Sequence, residues 1–216
     1  MTLHSFCPLP HFAEMAQQYS VLELNCAVKV LAGQHFLQEA HLDHLFYLDS
    51  DIYVWHDLID VVSFLQTNDW VMTPHFTHPY PADDCLPNER VTLRSGLYNA
   101  GFFATKPGEN ARAIFNWWAG HMRNECYYDF AEGMGVDQNW LNLLPILFSG
   151  VKVWEDPGAN LAYWNLHERN LSFVHKSYWV NETFRLRFAH ISGYSFDQAQ
   201  SISRHQNRYQ WQDQPV

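Results

Sequence analysis

The sequence predicts an α/β fold, in which helices flank a sheet that contains parallel strands. Stretches with the apolar spacing of a helix alternate along the chain with short apolar runs that fit buried strands. No internal repeat interrupts this alternation, and polar motifs directly follow several of the apolar runs. Such alternation is typical of sheets whose ligands bind beyond the carboxyl ends of the strands. The functional residues are therefore expected where those runs end.

The composition supports one domain and excludes two classes of partner. At 216 residues with 47% hydrophobic residues, the chain is long enough to bury its own core. A net charge of -10 repels nucleic-acid phosphate and anionic membrane surfaces. The sequence has neither an apolar run of about 18 residues nor the pattern of an export signal. We expect no nucleic-acid partner, no integral membrane contact and a cytoplasmic location.

The first half of the chain predicts two helix–strand units followed by a long loop. Apolar spacing indicates a helix over residues 26–40, and a short apolar run indicates a buried strand over residues 45–48. A second helix is expected over residues 58–65 and a second strand over residues 70–73. Residues 74–94 are rich in Pro, His, Asp and Asn, which favours a long loop.

The second half predicts further strands and helices, and then a polar tail. The predicted elements are a strand over residues 97–105, a helix over 111–122, a short helix over 136–144 that Pro145 ends, a strand over 151–154 and a half-buried strand over 184–188. After Tyr194 the sequence is rich in Gln, Ser, Asp and Arg. We therefore expect a single domain over residues 1–194 and a polar C-terminal tail over residues 195–216, frayed or packed on the surface.

Two patterns have the spacing of metal ligands. Asp49 and Asp51 directly follow the strand over residues 45–48, so a bend there turns both carboxylates toward one point, and such oxygen ligands suit Mg²⁺ or Mn²⁺. The alternative is that this triplet only caps a turn. His75 and His78 also have a suitable spacing, but no third ligand follows at a recognised interval, so we expect surface histidines there.

Other polar residues stand at strand ends or inside apolar segments. His190 follows a predicted strand, and the small residues up to Gly193 would let the backbone approach a ligand closely. Asn99 lies inside an apolar strand, where a bulge is the alternative explanation, and Asp137 with Gln138 begins a short helix, where an acid complements the helix dipole. Taken singly, none of these residues identifies a function.

Taken together, four motifs resemble those of the family 8 glycosyltransferases and their bacterial relatives. They occur in the order and roughly the spacing of that family, and the resemblance covers about residues 23–194. The motifs are LDSDI at residues 48–52, YNAGF at 98–102, GVDQNWLN at 135–142 and HISG at 190–193. The resemblance implies a GT-A fold, which is a Rossmann-like mixed sheet flanked by helices. It also implies retaining transfer of a sugar from a nucleotide-sugar donor, expected to be a UDP-sugar, to a saccharide or another hydroxyl acceptor.

The resemblance also implies roles for individual residues. The metal, Mn²⁺ or Mg²⁺, would be held by Asp49, Asp51 and His190. The residues that would face the donor sugar or its diphosphate are Asn99, Ala100, Lys29 and Gly193 as binding residues, and Asp137 with Gln138 as catalytic residues. Because the metal would neutralise the departing diphosphate, Asp137 is expected to orient sugar hydroxyls. A double displacement through Asp137 is the alternative.

The chain departs from the family at its front. The acidic pair arrives at Asp49, whereas each strand–helix–strand unit takes about 30 residues or more, so we expect an N-terminally shortened sheet. The strand over residues 45–48 would then present an unpaired edge. The chain is expected to be either a fragment or a shortened member of the family.

Two other functions compete with the transferase. One is a sugar-binding remnant of a transferase with weak or no activity. The other is a phosphatase of the haloacid dehalogenase type, in which Asp49 would be the nucleophile and Asp83 with Asp84 would supply the later metal ligands. Hydrolysis of a UDP-sugar with metal distinguishes the transferase from the remnant, and a phosphorylated Asp49 would indicate the phosphatase.

Overall fold

The computed structural model describes residues 9–38, 42–198 and 200–213 of the chain. The helices are α1 Leu9–Gln18, α2 Val21–Phe36, α3 Ile59–Phe64, α4 Glu89–Ser95, α5 Glu109–Met122, α6 Gln138–Leu141 and α7 Leu144–Leu147, with 3-10 turns at Phe196–Gln198 and Trp211–Asp213. The strands are β1 Leu45–Leu48, β2 Ile52–Val54, β3 Trp70–Pro74, β4 Tyr98–Thr105, β5 Tyr128–Asp129, β6 Met134–Gly135, β7 Val151–Val153, β8 Leu171–Val174, β9 Ser177–Val180, β10 Phe184–Arg185 and β11 Phe188–His190.

The central sheet is mixed and has the strand order β1-β4-β3-β7. This confirms an α/β fold with a mixed sheet and flanking helices. The expectation of parallel neighbours is correct for β3 and β7, but it is wrong for β4, which runs antiparallel to both β1 and β3. The long connection after β3 begins and ends at the same edge of the sheet, since Pro74 pairs with Tyr98. Strand β4 therefore returns alongside β3.

Strand β4 carries a bulge beside the end of β1. On its β3 side the pairing jumps from Met72–Phe103 to Thr73–Asn99, so three residues of β4 have no partner on β3. On its β1 side the pairing stays regular as far as Leu48–Phe102. A bulge redirects the chain and often lies next to functional residues. Here it separates the start of β4 from the regular ladder.

The sheet is buried on both faces, which form two separate cores. On one face, Trp70 and Phe103 stack with their ring centroids 4.9 Å apart and pack under α2 and α5. On the other face, Val71 and Phe102 pack with Phe188 and with residues of α3. Successive residues of β3 and β4 therefore point into different cores, as the period of a strand requires. This explains why residues 70–72 of β3 and 102–104 of β4 are all apolar.

Helix α2 begins five residues before the predicted start. Ser20 and Glu23 form a capping box, in which the Ser20 backbone N–H donates to the Glu23 carboxylate at 2.8 Å and the Glu23 N–H donates to Ser20 Oγ at 3.4 Å. A Ser-x-x-Glu sequence before an apolar run is a known helix-start signal. The predicted end of this helix at residue 40 lies outside the described residues.

Three other predictions need correction. The segment 74–94 is not entirely loop, because α4 begins at Glu89, where Asn88 Oδ1 accepts a hydrogen bond from the Val91 N–H at 3.2 Å. Pro145 does not end a helix over 136–144; it lies in the first turn of α7, where a missing N–H costs nothing. The predicted strand over 184–188 is two strands, β10 and β11, which pair with β9 and β2 respectively.

The C-terminal segment packs on the surface of the domain. The Arg208 guanidinium donates to both carboxylate oxygens of Asp83 at 2.6 and 2.9 Å, and Asn207 Oδ1 accepts from the Leu86 N–H at 2.6 Å. The tail was expected to be either frayed or packed on the surface, and residues 200–213 are packed on the surface. Within the described part of the chain, no helix has the length and apolar character needed to cross a bilayer. Strand β1, for which the sequence predicted an unpaired edge, lies at one end of the central sheet, with β4 as its neighbour.

The contact between α2 and α5 gives a test of the fold. A Cβ atom added at Gly33 would lie 2.3 Å from Phe115 Cε1, whereas a Cβ added at Gly120 of α5 meets nothing within 4 Å. Gly33→Ala should destabilise the protein by about 1–3 kcal/mol through overpacking, while Gly120→Ala should stabilise it by up to about 1 kcal/mol. Urea denaturation of both variants measures the difference. Stabilisation by both substitutions would contradict the close contact between Gly33 of α2 and Phe115 of α5.

Candidate metal centre

The site begins with a tight turn after β1. The Ile52 N–H donates to the Asp49 carbonyl at 3.0 Å, which closes the turn around Asp49 and Asp51. The Asp49 N–H donates to the carbonyl of Gly101 at 2.8 Å, so the bulged part of β4 fixes where the turn starts. The expected bend after the strand is therefore present, and it brings the two carboxylates to the same edge of the sheet.

The pairing of β2 with β11 brings His190 to this turn. His190 pairs with Ile52, and the Ile191 N–H donates to the Asp51 carbonyl at 2.9 Å. As a result, His190 Nε2 lies 3.0 Å from Asp51 Oδ1 and 3.9 Å from Asp49 Oδ2. Two residues that are far apart in the sequence thus meet because of one short antiparallel ladder.

Asp49, Asp51 and His190 form a group that could hold a metal ion. One ligand atom from each residue lies within 4.8 Å of the other two. Metal–ligand distances of about 2.0–2.6 Å let one cation reach all three atoms at such separations. The side chain of His190 is 5% exposed and that of Asp51 is 44% exposed, so the group is anchored inside and open to solvent on one side. When His190 Nε2 carries a proton, the hydrogen bond that it donates lowers the pKa of Asp51 and favours its carboxylate form; a bound cation would take the place of that proton.

Asn99 determines which nitrogen of His190 is free for a metal. Asn99 Oδ1 accepts a hydrogen bond from the Gly101 N–H at 3.1 Å, and this fixes the orientation of the amide. The same oxygen lies 3.1 Å from His190 Nδ1, so that nitrogen must be the donor. His190 Nδ1 therefore carries a proton, and Nε2 is the nitrogen that faces the two carboxylates. Metal-binding histidines are commonly oriented in this way by a neighbouring acceptor.

A second histidine continues this chain of hydrogen bonds. Asn99 Nδ2 lies 3.4 Å from His75 Nε2, and burial lowers the pKa of His75 to about 4. His75 is therefore neutral at physiological pH, and its Nε2 accepts from the amide. The expectation that His75 lies on the surface is wrong, because it is only 6% exposed, and Trp164 packs edge-on against both His75 and His190. His78 is exposed, as expected, and pairs with Glu168.

Lys29 is a buried cation between two acids. Its side chain is 8% exposed, and its ammonium lies 2.8 Å from Asp137 Oδ2 and 3.4 Å from Asp49 Oδ1. It also donates to the carbonyl of Ala100 at 3.3 Å. Burial alone would lower the pKa of Lys29, but the two carboxylates outweigh this effect and hold the pKa well above its ordinary value. Burial raises the pKa of Asp137, and Lys29 opposes that rise.

The other residues predicted from the sequence differ in how they are connected to the group formed by Asp49, Asp51 and His190. Asp137 is 2% exposed and joins the site through Lys29, while Ala100 contributes its backbone carbonyl. Gln138 packs against Gly96, where an added Cβ would lie 3.0 Å from Gln138 Cγ. Gly193 has a φ of +71° and packs against the C-terminal segment, with Ser203 Oγ 2.6 Å from the position of a Cβ. The structure therefore places Gln138 and Gly193 against neighbouring backbone and side chains.

Sequence reasoning missed Tyr47 as part of the site, while the glycine two residues after Asn99 already indicated a close backbone approach. The Tyr47 hydroxyl donates to Asp49 Oδ1 at 2.6 Å, and Tyr47 was treated only as part of an apolar run. A Cβ on Gly101 would lie 2.4 Å from His190 Cε1, so only glycine lets the imidazole approach β4 this closely. A usable signal was present in both cases, namely a hydroxyl two residues before an acid and a glycine inside a strand.

The comparisons with known proteins do not assign the chain to a family. No family model matches the sequence. The chain is similar to two proteins of Bacillus subtilis (strain 168). It is 25% identical over 162 residues to "Uncharacterized protein YfnF", covering 71% of this chain and 50% of that protein. It is 24% identical over 160 residues to "Uncharacterized protein YfnD", covering 71% and 47%. The chain thus spans about half the length of these curated relatives.

The three ligands predict that a divalent cation stabilises the fold. Mn²⁺ at 100 times its Kd should raise the free energy of unfolding by about 2.7 kcal/mol, because it binds the folded chain alone. Asp51→Asn should remove most of this gain, since it replaces a charged ligand by a neutral one. Asp84→Asn, at an exposed acid outside the group, should keep it. Thermal unfolding with and without Mn²⁺ measures the effect, and equal gains in both variants would rule out this site.

Asn99 gives a sharper test of the geometry. Asn99→Leu removes the acceptor that holds His190 Nδ1, and loss of such a partner typically costs about 10–100-fold in metal affinity. Asn99→Asp keeps an oxygen at that place and should retain affinity close to that of the unchanged protein. Titration of Mn²⁺ monitored by electron paramagnetic resonance gives both constants. If the two variants lose affinity equally, Asn99 does not act by accepting the proton of His190.

Proposed function

We propose that the chain is a metal-dependent glycosyltransferase of the GT-A type, which moves a sugar from a nucleotide-sugar donor to a hydroxyl acceptor with retention of configuration. The observation that supports this most strongly is the convergence of Asp49, Asp51 and His190, which belong to two of the four motifs that resemble the family. A UDP-sugar is the expected donor. A cytoplasmic location goes with this proposal, because nucleotide sugars are made inside the cell.

The charge of the site favours a dication. When Asp49, Asp51 and Asp137 are all ionised, Lys29 neutralises one of the three carboxylates and two negative charges remain. Mn²⁺ or Mg²⁺ would balance them, and when bound it would stabilise the negative charge that develops on a departing diphosphate. The half-exposed Asp51 leaves the site open on the side where a diphosphate can approach.

The residues of the chain would mainly position this centre. The Lys29 ammonium is already committed to two carboxylates, so it would hold Asp49 and Asp137 in place and contact phosphate only indirectly. The Tyr47 hydroxyl holds the same oxygen of Asp49. Asp137, fixed by its ion pair, is the candidate for orienting donor hydroxyls, with Gln138 next to it at the start of α6. Asn99 keeps the correct nitrogen of His190 directed at the carboxylates.

The competing phosphatase is disfavoured by the surroundings of Asp83. Both of its carboxylate oxygens accept hydrogen bonds from Arg208, which leaves them unsuitable as metal ligands. Asp83 and Asp84 also lie outside the group formed by Asp49, Asp51 and His190. The sugar-binding remnant needs the same metal centre and differs only in turnover. A hydrolysis assay therefore separates it from the transferase.

The proposal predicts slow, metal-dependent hydrolysis of a nucleotide sugar when no acceptor is present. UDP-glucose, UDP-galactose and their GDP and CDP counterparts are incubated with Mn²⁺, and the released nucleoside diphosphate is measured. Asp51→Asn should lower release at least about 100-fold, corresponding to about 2.7 kcal/mol of lost transition-state stabilisation, and Asp84→Asn should not change it. Binding of UDP with Mn²⁺ but no release from any donor would identify the remnant. Trapping of a phosphorylated Asp49 would identify the phosphatase.

The same assay tests the position of Asp137. Asp137→Asn keeps the size of the side chain but removes the charge that pairs with Lys29. Release of the diphosphate should fall at least about ten-fold, whereas Mn²⁺ affinity should change by less than about three-fold, because Asp137 is outside the ligand group. An equal loss of Mn²⁺ affinity would make Asp137 a metal ligand.

A further inference from the structure

An apolar cavity of about 260 Å³ lies beside the end of β11, the strand that carries His190 of the candidate metal centre. His190, Ile191 and Ser192 line part of it, and Leu171 of β8 and Tyr178 of β9 also line it. Most of the remaining surface is aromatic or aliphatic, and it comes from Trp55, Tyr163, Leu186 and Trp211. None of the described residues that line the cavity is an acid, a lysine or an arginine. The cavity is therefore chemically different from the acidic centre beside it.

The size and lining of the cavity restrict what it can hold. Small-molecule pockets usually measure about 300–1,000 Å³, so this cavity fits a ring or a short chain and is too small for a peptide helix. A diphosphate would lie there without a cation, and a bare sugar would leave most of its hydroxyl groups without hydrogen-bond partners. The edges of a nucleotide base would face the same shortage of partners. An apolar group buries its surface there without these costs.

The position of the cavity connects it to the chemistry of the site. Trp55 directly follows β2, the strand that begins after Asp51, and its ring packs edge-on against Tyr178 of β9 with centroids 5.8 Å apart. The cavity also borders the segment from His190 to Ser192 at the end of β11, and the side chain of His190 directs Nε2 toward the two carboxylates. A molecule held in the cavity would therefore lie beside the strand end that carries one candidate metal ligand.

We infer that this cavity binds the apolar part of the acceptor, an aryl or short alkyl group, and directs the attached hydroxyl toward the metal centre. The role of the bound molecule as an acceptor rests on the proposed transferase function. The binding of an apolar group in the cavity does not depend on that proposal. The substrate class is therefore a hydroxyl compound with an apolar aglycone. A purely polar oligosaccharide would not fill the cavity.

A matched pair of probes tests the binding site. Phenyl β-D-glucoside and methyl β-D-glucoside differ only in the apolar group, and isothermal titration calorimetry compares their Kd values. The phenyl compound should bind at least about ten-fold more tightly, because its ring leaves water for the apolar lining. Equal affinities would overturn the inference. Displacement of the phenyl compound by UDP with Mn²⁺ would also overturn it, because the cavity would then hold the base of the donor.

Two substitutions on one strand locate the binding. Leu171 and Phe173 lie on the same face of β8, but Leu171 lines the cavity and Phe173 is 56% exposed beyond it. Leu171→Trp should fill the cavity and abolish the preference for the phenyl compound, while Phe173→Trp should keep it. Trp55→Ala, which removes one wall without adding bulk, should lower the affinity at least about five-fold and serves if Leu171→Trp does not fold. A preference that survives both Leu171→Trp and Trp55→Ala would overturn the inference.

One more variant separates this inference from the proposed function. Asp51→Asn should keep the phenyl preference, because the cavity lining is unchanged, while it loses metal-dependent hydrolysis. Hydrolysis by the unchanged protein without a phenyl preference would overturn the cavity assignment and leave the transferase in place. A phenyl preference without hydrolysis of any donor would support the cavity assignment and overturn the proposed transferase. A phenyl affinity that falls as protein concentration rises would assign the cavity to a second copy of the chain and overturn the inference.

Discussion

The ammonium of Lys29 connects three separate parts of the site. It extends from α2, neutralises Asp49 after β1 and Asp137 before α6, and binds the carbonyl of Ala100 in the bulge of β4. Removing one partner from such a buried ion pair typically costs about 3–5 kcal/mol, because the charge that remains is not compensated. The position of α2 over the sheet and the position of the acidic turn therefore depend on the same interaction. Lys29 thus holds the acidic turn firmly against α2, and this arrangement depends on that one side chain.

The sequence predicted the elements better than their arrangement. Strand β1 and helix α5 lie close to where apolar spacing put them, because burial alone determines that pattern. The direction of β4 could not be predicted, since alternation of side chains is the same in parallel and antiparallel strands. Helix α2 started early because Ser20 and Glu23 cap it, a local signal that apolar spacing ignores. The three-residue bulge depends on contacts with two different strands and has no local pattern at all.

The same division applies to the site. Asp49 and Asp51 were expected to bind a metal because they follow a buried strand, His190 was added only through the resemblance carried by the four motifs, and the structure brings the three residues together. The hydrogen bonds that orient His190 were not predicted. Asn99 was assigned only a position facing the donor sugar, and the structure adds that its amide lies between two histidines. His75 was expected on the surface because no third metal ligand follows it at a recognised interval, but it is buried, with its backbone N–H donating to the Leu97 carbonyl and Trp164 packed against its ring.

The short ladder between β2 and β11 has a consequence for how the protein forms. His190 follows Asp51 by nearly 140 residues, and contacts between such distant positions form slowly because a long loop must close first. During synthesis the acidic turn leaves the ribosome long before its imidazole partner exists. The complete group of three candidate ligands therefore exists only when β11 pairs with β2, and a cation that needs all three could not trap a partly made chain in a native-like state. Binding of such a cation would thus report that nearly the whole described domain has folded.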